Sequence, residues 1–157
     1  MPESKQTLAT MAAEIFELHH LVASLRSRLT SGQEDLSETE FLTLDVLAKE
    51  GPMIIGEVQQ RVGVAPAQMS RIVRSLEEHG GRGYVVCTIN PKDRRCVDIA
   101  LTKEGSDAHA TYRDARLGTM MDILTILPPN DRVQFMRILG QIRDAFVTRL
   151  RSETGKA

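Results

Sequence analysis

From Thr7 to Leu29 the apolar residues Leu8, Met11, Ile15, Leu18, Val22, Leu25 and Leu29 fall three or four places apart, the spacing that gives a helix one apolar stripe. The polar stretch "TSGQEDLSETE", with Gly32 inside it, breaks that helix. Ser37 followed three places on by Glu40 is a capping-box pattern, so the next helix runs from about Glu38 to Glu50 with Phe41, Leu44 and Leu47 inward. Gly51-Pro52 stops it. After a short extended "MII", Gly56 to Val62 reads as a small helix closed by Gly63. Pro66 then opens a further helix to about Glu78, with Met69, Ile72, Val73 and Leu76 on its inner face. Here the period changes. Tyr84 to Ile89 and Cys96 to Leu101 are rich in β-branched residues and flank "NPKDRR", the pattern of a hairpin turning near Pro91 and Lys92. Thr102 caps a long helix to about Leu127, whose apolar run from Met120 to Leu127 reads as a buried end. Pro128 to Asn130 stops it, and Asn130 starts a last helix carrying Phe135, Ile138, Leu139, Ile142, Phe146 and Leu150 on one stripe.

This order predicts a mainly α chain with a small antiparallel β-hairpin wing: a winged helix-turn-helix core flanked by long N- and C-terminal helices. We expect one subunit over residues 1–157, a lobe over 36–101, and helical regions over 5–30 and 102–151. The end helices carry more apolar stripe than so small a core needs. Either they pack on each other within one chain or they build a homodimer, and dimerisation is the sharper expectation.

At 157 residues and 41% hydrophobic content the chain has the makeup of an ordinary globular protein. Its apolar runs are short and broken by charge, and no basic-then-apolar leader opens it, so we expect a cytoplasmic protein without a membrane span. The net charge of −1 hides an uneven distribution. Residues 1–50 hold four basic against nine acidic side chains, net −5, whereas residues 61–103 hold eight basic against four acidic, net +4. A local field of that sign steers a polyanion whatever the total charge.

The Pro66 helix is the candidate reader. With its apolar side inward, it presents Ala67, Gln68, Ser70, Arg71 and Arg74 outward. A helix of this width fits the major groove, where Gln pairs with adenine, Arg with guanine, and small residues let the backbone approach. The plain alternative is a solvated helix face. What tilts the balance is the hairpin that follows, whose tip sets Lys92, Arg94 and Arg95 around Asp93, suited to phosphates and the narrow minor groove.

"LSETEFLTLDVLAKEGPMIIGEVQQRVGVAPAQMSRIVRSLEE" followed by "DRRCVDIALTKEG" resembles the MarR family of bacterial transcriptional regulators. The family's wing carries an Asp-x-Arg pattern, here Asp93, Arg94 and Arg95, followed by "LTxxG", here Leu101 to Gly105. The resemblance runs from about Leu36 to Gly105. It implies a homodimer bound to duplex DNA at a pseudo-palindromic operator, as a repressor relieved by a ligand, with Asp93 bracing Arg95. It also implies a small aromatic or anionic effector in a crevice near the dimer helices, for which His19, Arg113 and Arg116 are the candidate partners. An aromatic content of 4% offers such a ligand few stacking surfaces. The chain departs from the family pattern in three places: extra residues in "EEHGGRGY", Ala65 where a Ser or Thr cap is common, and Cys87 where a basic residue is often found.

A hairpin turning near Lys92 would set Cys87 about opposite Cys96, so a thiol redox sensor is the alternative to two small strand residues. The four histidines, His19, His20, His79 and His109, make no metal-ligand spacing; packing or surface roles are expected, and neither metal nor cofactor. No phosphate loop, nucleophile elbow or paired catalytic carboxylate is present, so an enzyme is not expected. The rival from another class is a helical dimeric interaction or ligand-binding module that has lost its hold on DNA.

Overall fold

The computed structural model describes residues 5–29 and 36–154. Six helices and three short strands follow in the order α1 (Lys5–Leu29), α2 (Glu38–Glu50), β1 (Met53–Ile54), α3 (Ile55–Val62), α4 (Pro66–Glu78), β2 (Val85–Ile89), β3 (Val97–Leu101), α5 (Lys103–Leu124) and α6 (Pro129–Thr154). The chain divides into two units, 1–113 and 114–157. The break expected at Gly32 and the side chain of Leu29 lie outside the described residues.

The capping box at Ser37 forms as its residues dictate. Glu40 N–H donates to Ser37 Oγ at 3.3 Å and Ser37 N–H donates to Glu40 Oε2 at 2.7 Å, so two end donors of α2 are satisfied reciprocally. Phe41, Leu44 and Leu47 then face inward and meet Val58 of α3 and Met69, Ile72, Val73 and Leu76 of α4 in one apolar cluster. Each such side chain contributes roughly 1.5–3 kcal/mol when taken out of water. Tyr84, Val85 and Ile99 close that cluster from the sheet, and Tyr112 of α5 closes it from the other side. The Tyr112 hydroxyl donates to the Leu36 carbonyl at 3.1 Å.

The "MII" stretch does more than connect. Met53 and Ile54 form β1, while Ile55 already opens α3, one residue before the expected start at Gly56; β1 pairs with β3, so the sheet is three-stranded in the order β1-β3-β2 and β3 is its central strand. The base of the wing is therefore fixed on both sides. The start of α5 is locked against the same sheet: Thr102 Oγ1 donates to the Gly83 carbonyl at 2.8 Å and accepts from Gly105 N–H at 3.0 Å.

The Gly-rich insertion folds into a 3-10 turn over His79–Gly81. The His79 ring stacks on Tyr84 with centroids 4.5 Å apart, and Tyr84 N–H returns to the Leu76 carbonyl at 2.7 Å. Gly83 is needed there, because its φ is +62° and a Cβ would sit 2.7 Å from the Glu77 carbonyl oxygen. The extra residues are thus absorbed against the end of α4.

In the second unit the end of α5 differs from expectation. The helix stops at Leu124, and Thr125, Ile126 and Leu127 tighten into i→i−3 bonds ahead of Pro128. The Arg132 guanidinium satisfies two carbonyls of that turn, Leu127 O at 2.9 Å and Thr125 O at 3.0 Å. The last helix begins at Pro129 rather than Asn130, since a proline at the first helical position loses no needed donor. The run from Met120 to Leu127 is not a buried end within one chain. Met121 is 65% exposed and Ile126 80%. Periodicity identifies the apolar positions, not whether they are covered.

Candidate nucleic-acid interface

Short helix, glycine turn and second helix set up the candidate recognition helix, α4. Gly63 N–H bonds back to the Gln59 carbonyl at 2.9 Å, and the Gln59 side chain donates to Val64 O at 3.0 Å, so the turn between α3 and α4 is pinned by its own residues. Packing of Met69, Ile72, Val73 and Leu76 fixes the rotation of α4 about its axis. Ala67, Gln68, Ser70, Arg71 and Arg74 are consequently all exposed. Ser70 commits its hydroxyl proton to Pro66 O at 3.1 Å, leaving only its oxygen lone pairs to a ligand. Ala65 sits at the helix start with no side-chain cap. Among the described residues Arg71, Arg74 and Arg94 have no carboxylate partner, so their charge faces solvent.

The wing turn occupies residues 91–95. Asn90 N–H bonds to Cys96 O at 3.0 Å and Cys96 N–H to Asp93 O at 2.9 Å. Arg95 lies flat on Asp93: Nε donates to Oδ1 at 3.1 Å, Nη2 to Oδ2 at 3.2 Å, and the Arg95 backbone N–H also reaches Oδ1 at 3.0 Å. The guanidinium and then the backbone amide hold the Asp93 carboxyl below the usual carboxylate range. Arg95 keeps 90% of its side chain exposed in spite of the pairing, and Lys92 and Arg94 are exposed beside it.

The cysteine geometry overturns one expectation. The turn is centred on Asp93 rather than near Pro91 and Lys92, so Cys87 pairs with Ile99 and Cys96 stands opposite Asn90. Three residues of strand, about 10 Å, separate the two along the ladder. A disulfide needs Cα atoms within about 7 Å. Both thiols are free. Burial pushes the Cys87 thiol up to about 11, and the hydrogen bond and charge of Glu77 push the same way, which opposes the thiolate that redox chemistry requires.

Of the candidate effector residues, His19 lies on the exposed surface of α1 with its ring edge toward His20, Arg113 is exposed on α5, and Arg116 is half-buried one turn further on. His109 is a packing histidine. It is buried, stacks on Phe41 with centroids 5.4 Å apart, and its Nε2 lies 3.1 Å from Asp45 Oδ1. Sequence reasoning overlooked Asn90 and Asp98, whose side chains are joined beneath the wing turn. The Asn-Pro dipeptide at the head of that turn was the available signal.

A second helix held by its apolar side after a glycine turn, with a braced cationic hairpin turn on the same lobe, defines a winged helix-turn-helix protein. Residues 36–97 match the model of the MarR family. An HTH-type transcriptional regulator of Mycobacterium bovis is 31% identical over 112 residues, covering 71% of this chain and 75% of that protein. The HTH-type transcriptional repressor MdtR of Bacillus subtilis is 25% identical over 116 residues, covering 74% of this chain and 73% of its own. A MarR family protein from Bacillus stearothermophilus shares the fold with a TM-score of 0.81 at 17% identity, over 92% of this chain and 99% of that one. The chain belongs to the MarR family of helix-turn-helix transcriptional regulators. No described helix is long and apolar enough to cross a membrane.

Proposed function

We propose that two copies of this chain bind a pseudo-palindromic operator, each seating α4 in the major groove and laying its wing along the adjoining minor groove. The observation that carries this reading is the outer face of α4, where Gln68, Arg71 and Arg74 are exposed and neither arginine is spent on a carboxylate among the described residues. Gln68 and Arg71 have the donors to read base edges; Arg74, Lys92, Arg94 and Arg95 supply charge to phosphates. Asp93, a carboxylate near a polyanion, is rational as the clamp that sets the Arg95 guanidinium plane. A two-fold axis puts the half-sites about 10 base pairs apart. Repression as the mode of action is supported by the likeness to MdtR, which is named a repressor. Relief by a small effector rests on the family resemblance, and such a ligand must prefer one separation of the two reader helices over another.

Retention on duplex DNA across a salt series tests the core of the reading. Binding should weaken steeply as salt rises, because displaced counterions dominate the affinity. The double variant Arg94→Ala/Arg95→Ala should bind more weakly and with a shallower slope, by roughly two to four phosphate contacts per dimer. An unchanged slope removes the wing from the interface. Absence of retention even at low salt would favour a module that no longer binds DNA.

A further inference from the structure

Beneath the wing turn lies a side-chain pair that the Asp-x-Arg pattern does not include. Asn90 follows the last residue of β2 and uses its whole amide: Nδ2 donates to Asp98 Oδ1 at 2.8 Å and Oδ2 at 3.0 Å, while Oδ1 accepts from Lys92 N–H at 2.9 Å and Asp93 N–H at 3.0 Å. Asp98 belongs to the central strand, paired with Thr88 on one side and Ile54 on the other. Asn90 is two residues beyond Thr88, so its side chain falls on the same sheet face as Asp98, at the diagonal spacing that cross-strand pairs use.

We propose that Asn90 and Asp98 are the positioning pair of the wing, tying its turn to the middle of the sheet so that Arg94 and Arg95 meet DNA already in place. This rests on the DNA-binding reading above. The connections run in series. Asp98 holds Asn90, Asn90 holds the amides of Lys92 and Asp93, and Asp93 holds the amide and guanidinium of Arg95. Asn suits position 90 because one short side chain must donate to a carboxylate and accept from two amides. An Asp there would set a second carboxylate against Asp98, and an Ala would leave both ends open. The pair also accounts for Asp98 itself. A negative charge on the wing repels phosphate, so by charge alone its removal should tighten binding; as half of a brace, its removal should weaken binding.

That opposition of sign is the test. The wild type, Asn90→Ala, Asp98→Ala and the exchanged pair Asn90→Asp/Asp98→Asn are compared on a mixed-sequence duplex of about 30 base pairs, roughly three helical turns. Circular dichroism melting checks that each folds. Exchange of the Lys92 and Asp93 amides is followed by NMR in the free protein. Both alanine variants should bind roughly tenfold more weakly at fixed salt with the wild-type salt slope, since every cation is still present and only its ordering is lost. The two amides should exchange faster in both. The exchanged pair, with the same net charge and one amide facing one carboxylate, should recover affinity and protection. Asp98→Ala binding as tightly as wild type or tighter, unchanged amide exchange, or no recovery in the exchanged pair overturns the proposal alone. A wild type with no salt-dependent binding overturns the DNA reading and the proposal together.

Discussion

Gly105 illustrates what a single position decides. A Cβ at that place would lie 1.9 Å from the Tyr84 carbonyl oxygen, closer than any relaxation of a flexible side chain could relieve, because the obstacle is backbone. Gly105→Ala must therefore lift the start of α5 off the sheet and break the bonds that Thr102 makes to Gly83 and Gly105. We expect a loss of about 3 kcal/mol in urea unfolding followed by circular dichroism, toward the upper end for overpacking. A loss under about 0.5 kcal/mol would mean that this contact is slack. The glycine of "LTKEG" is visible in the sequence as part of a family pattern, but its partner, 21 places earlier, is not. The same limit hid the Asn90–Asp98 pair: the dipeptide at Asn90 signalled a turn, whereas the carboxylate beneath it depends on strand register.

At the scale of elements, α2 carries two acidic groups whose surroundings make the lobe sensitive to acid. Burial raises the pKa of Glu40, but hydrogen bonds from the Ser37 side chain and Ser75, then the Ser37 amide and the charge of His79, outweigh it and the net shift is downward. Asp45 follows the same pattern, burial being overcome by hydrogen bonds and charge from Lys49 and His109. A carboxyl with a folded pKa below its unfolded value stabilises at pH above the unfolded value, and that stability disappears as pH falls through the folded one. The lobe should hold its stability at neutral pH and lose it progressively below about pH 4. Glu40→Gln should be less stable at pH 7 and show a flatter acid limb in urea titrations. A limb as steep as that of the wild type would clear Glu40 of any part in it. Period and caps suffice for two helices: α2 and α4 occupy the expected residues, since Ser37, Gly51-Pro52 and Pro66 are local stop and start marks. The hairpin's register differs from the expected one because loop length, not the position of Pro91, fixes which residues pair.

At the scale of the whole molecule, the end helices present apolar side chains. Leu8, Met11, Ile15 and Leu18 of α1 are more than half exposed in one chain, as are Val133, Met136, Phe146 and Leu150 of α6. The proposed dimer accounts for them, because apolar surface at such density is typical of association sites. In the proposed dimer these side chains meet a second copy. Sedimentation equilibrium should find a two-chain species, and Phe146→Asp with Leu150→Asp should shift it to single chains while steep salt-dependent DNA retention is lost. A wild type that sediments as one chain at every concentration would remove the two-fold reader.

By itself the sequence determined the element order, the inward faces of α2 and α4, and the basic character of residues 61–103, because each of these follows from neighbours within a few residues. Tertiary structure alone decided that Met53 and Ile54 become an edge strand against β3, that Cys87 faces Ile99 instead of Cys96, and that Asn90 rests on Asp98. Those outcomes depend on register and on approach between segments far apart in the chain, quantities that local period and composition do not encode. The apolar run at the end of α5 draws the same boundary: its hydrophobicity is written in the residues, but whether anything lies over it is settled by surfaces they do not contain.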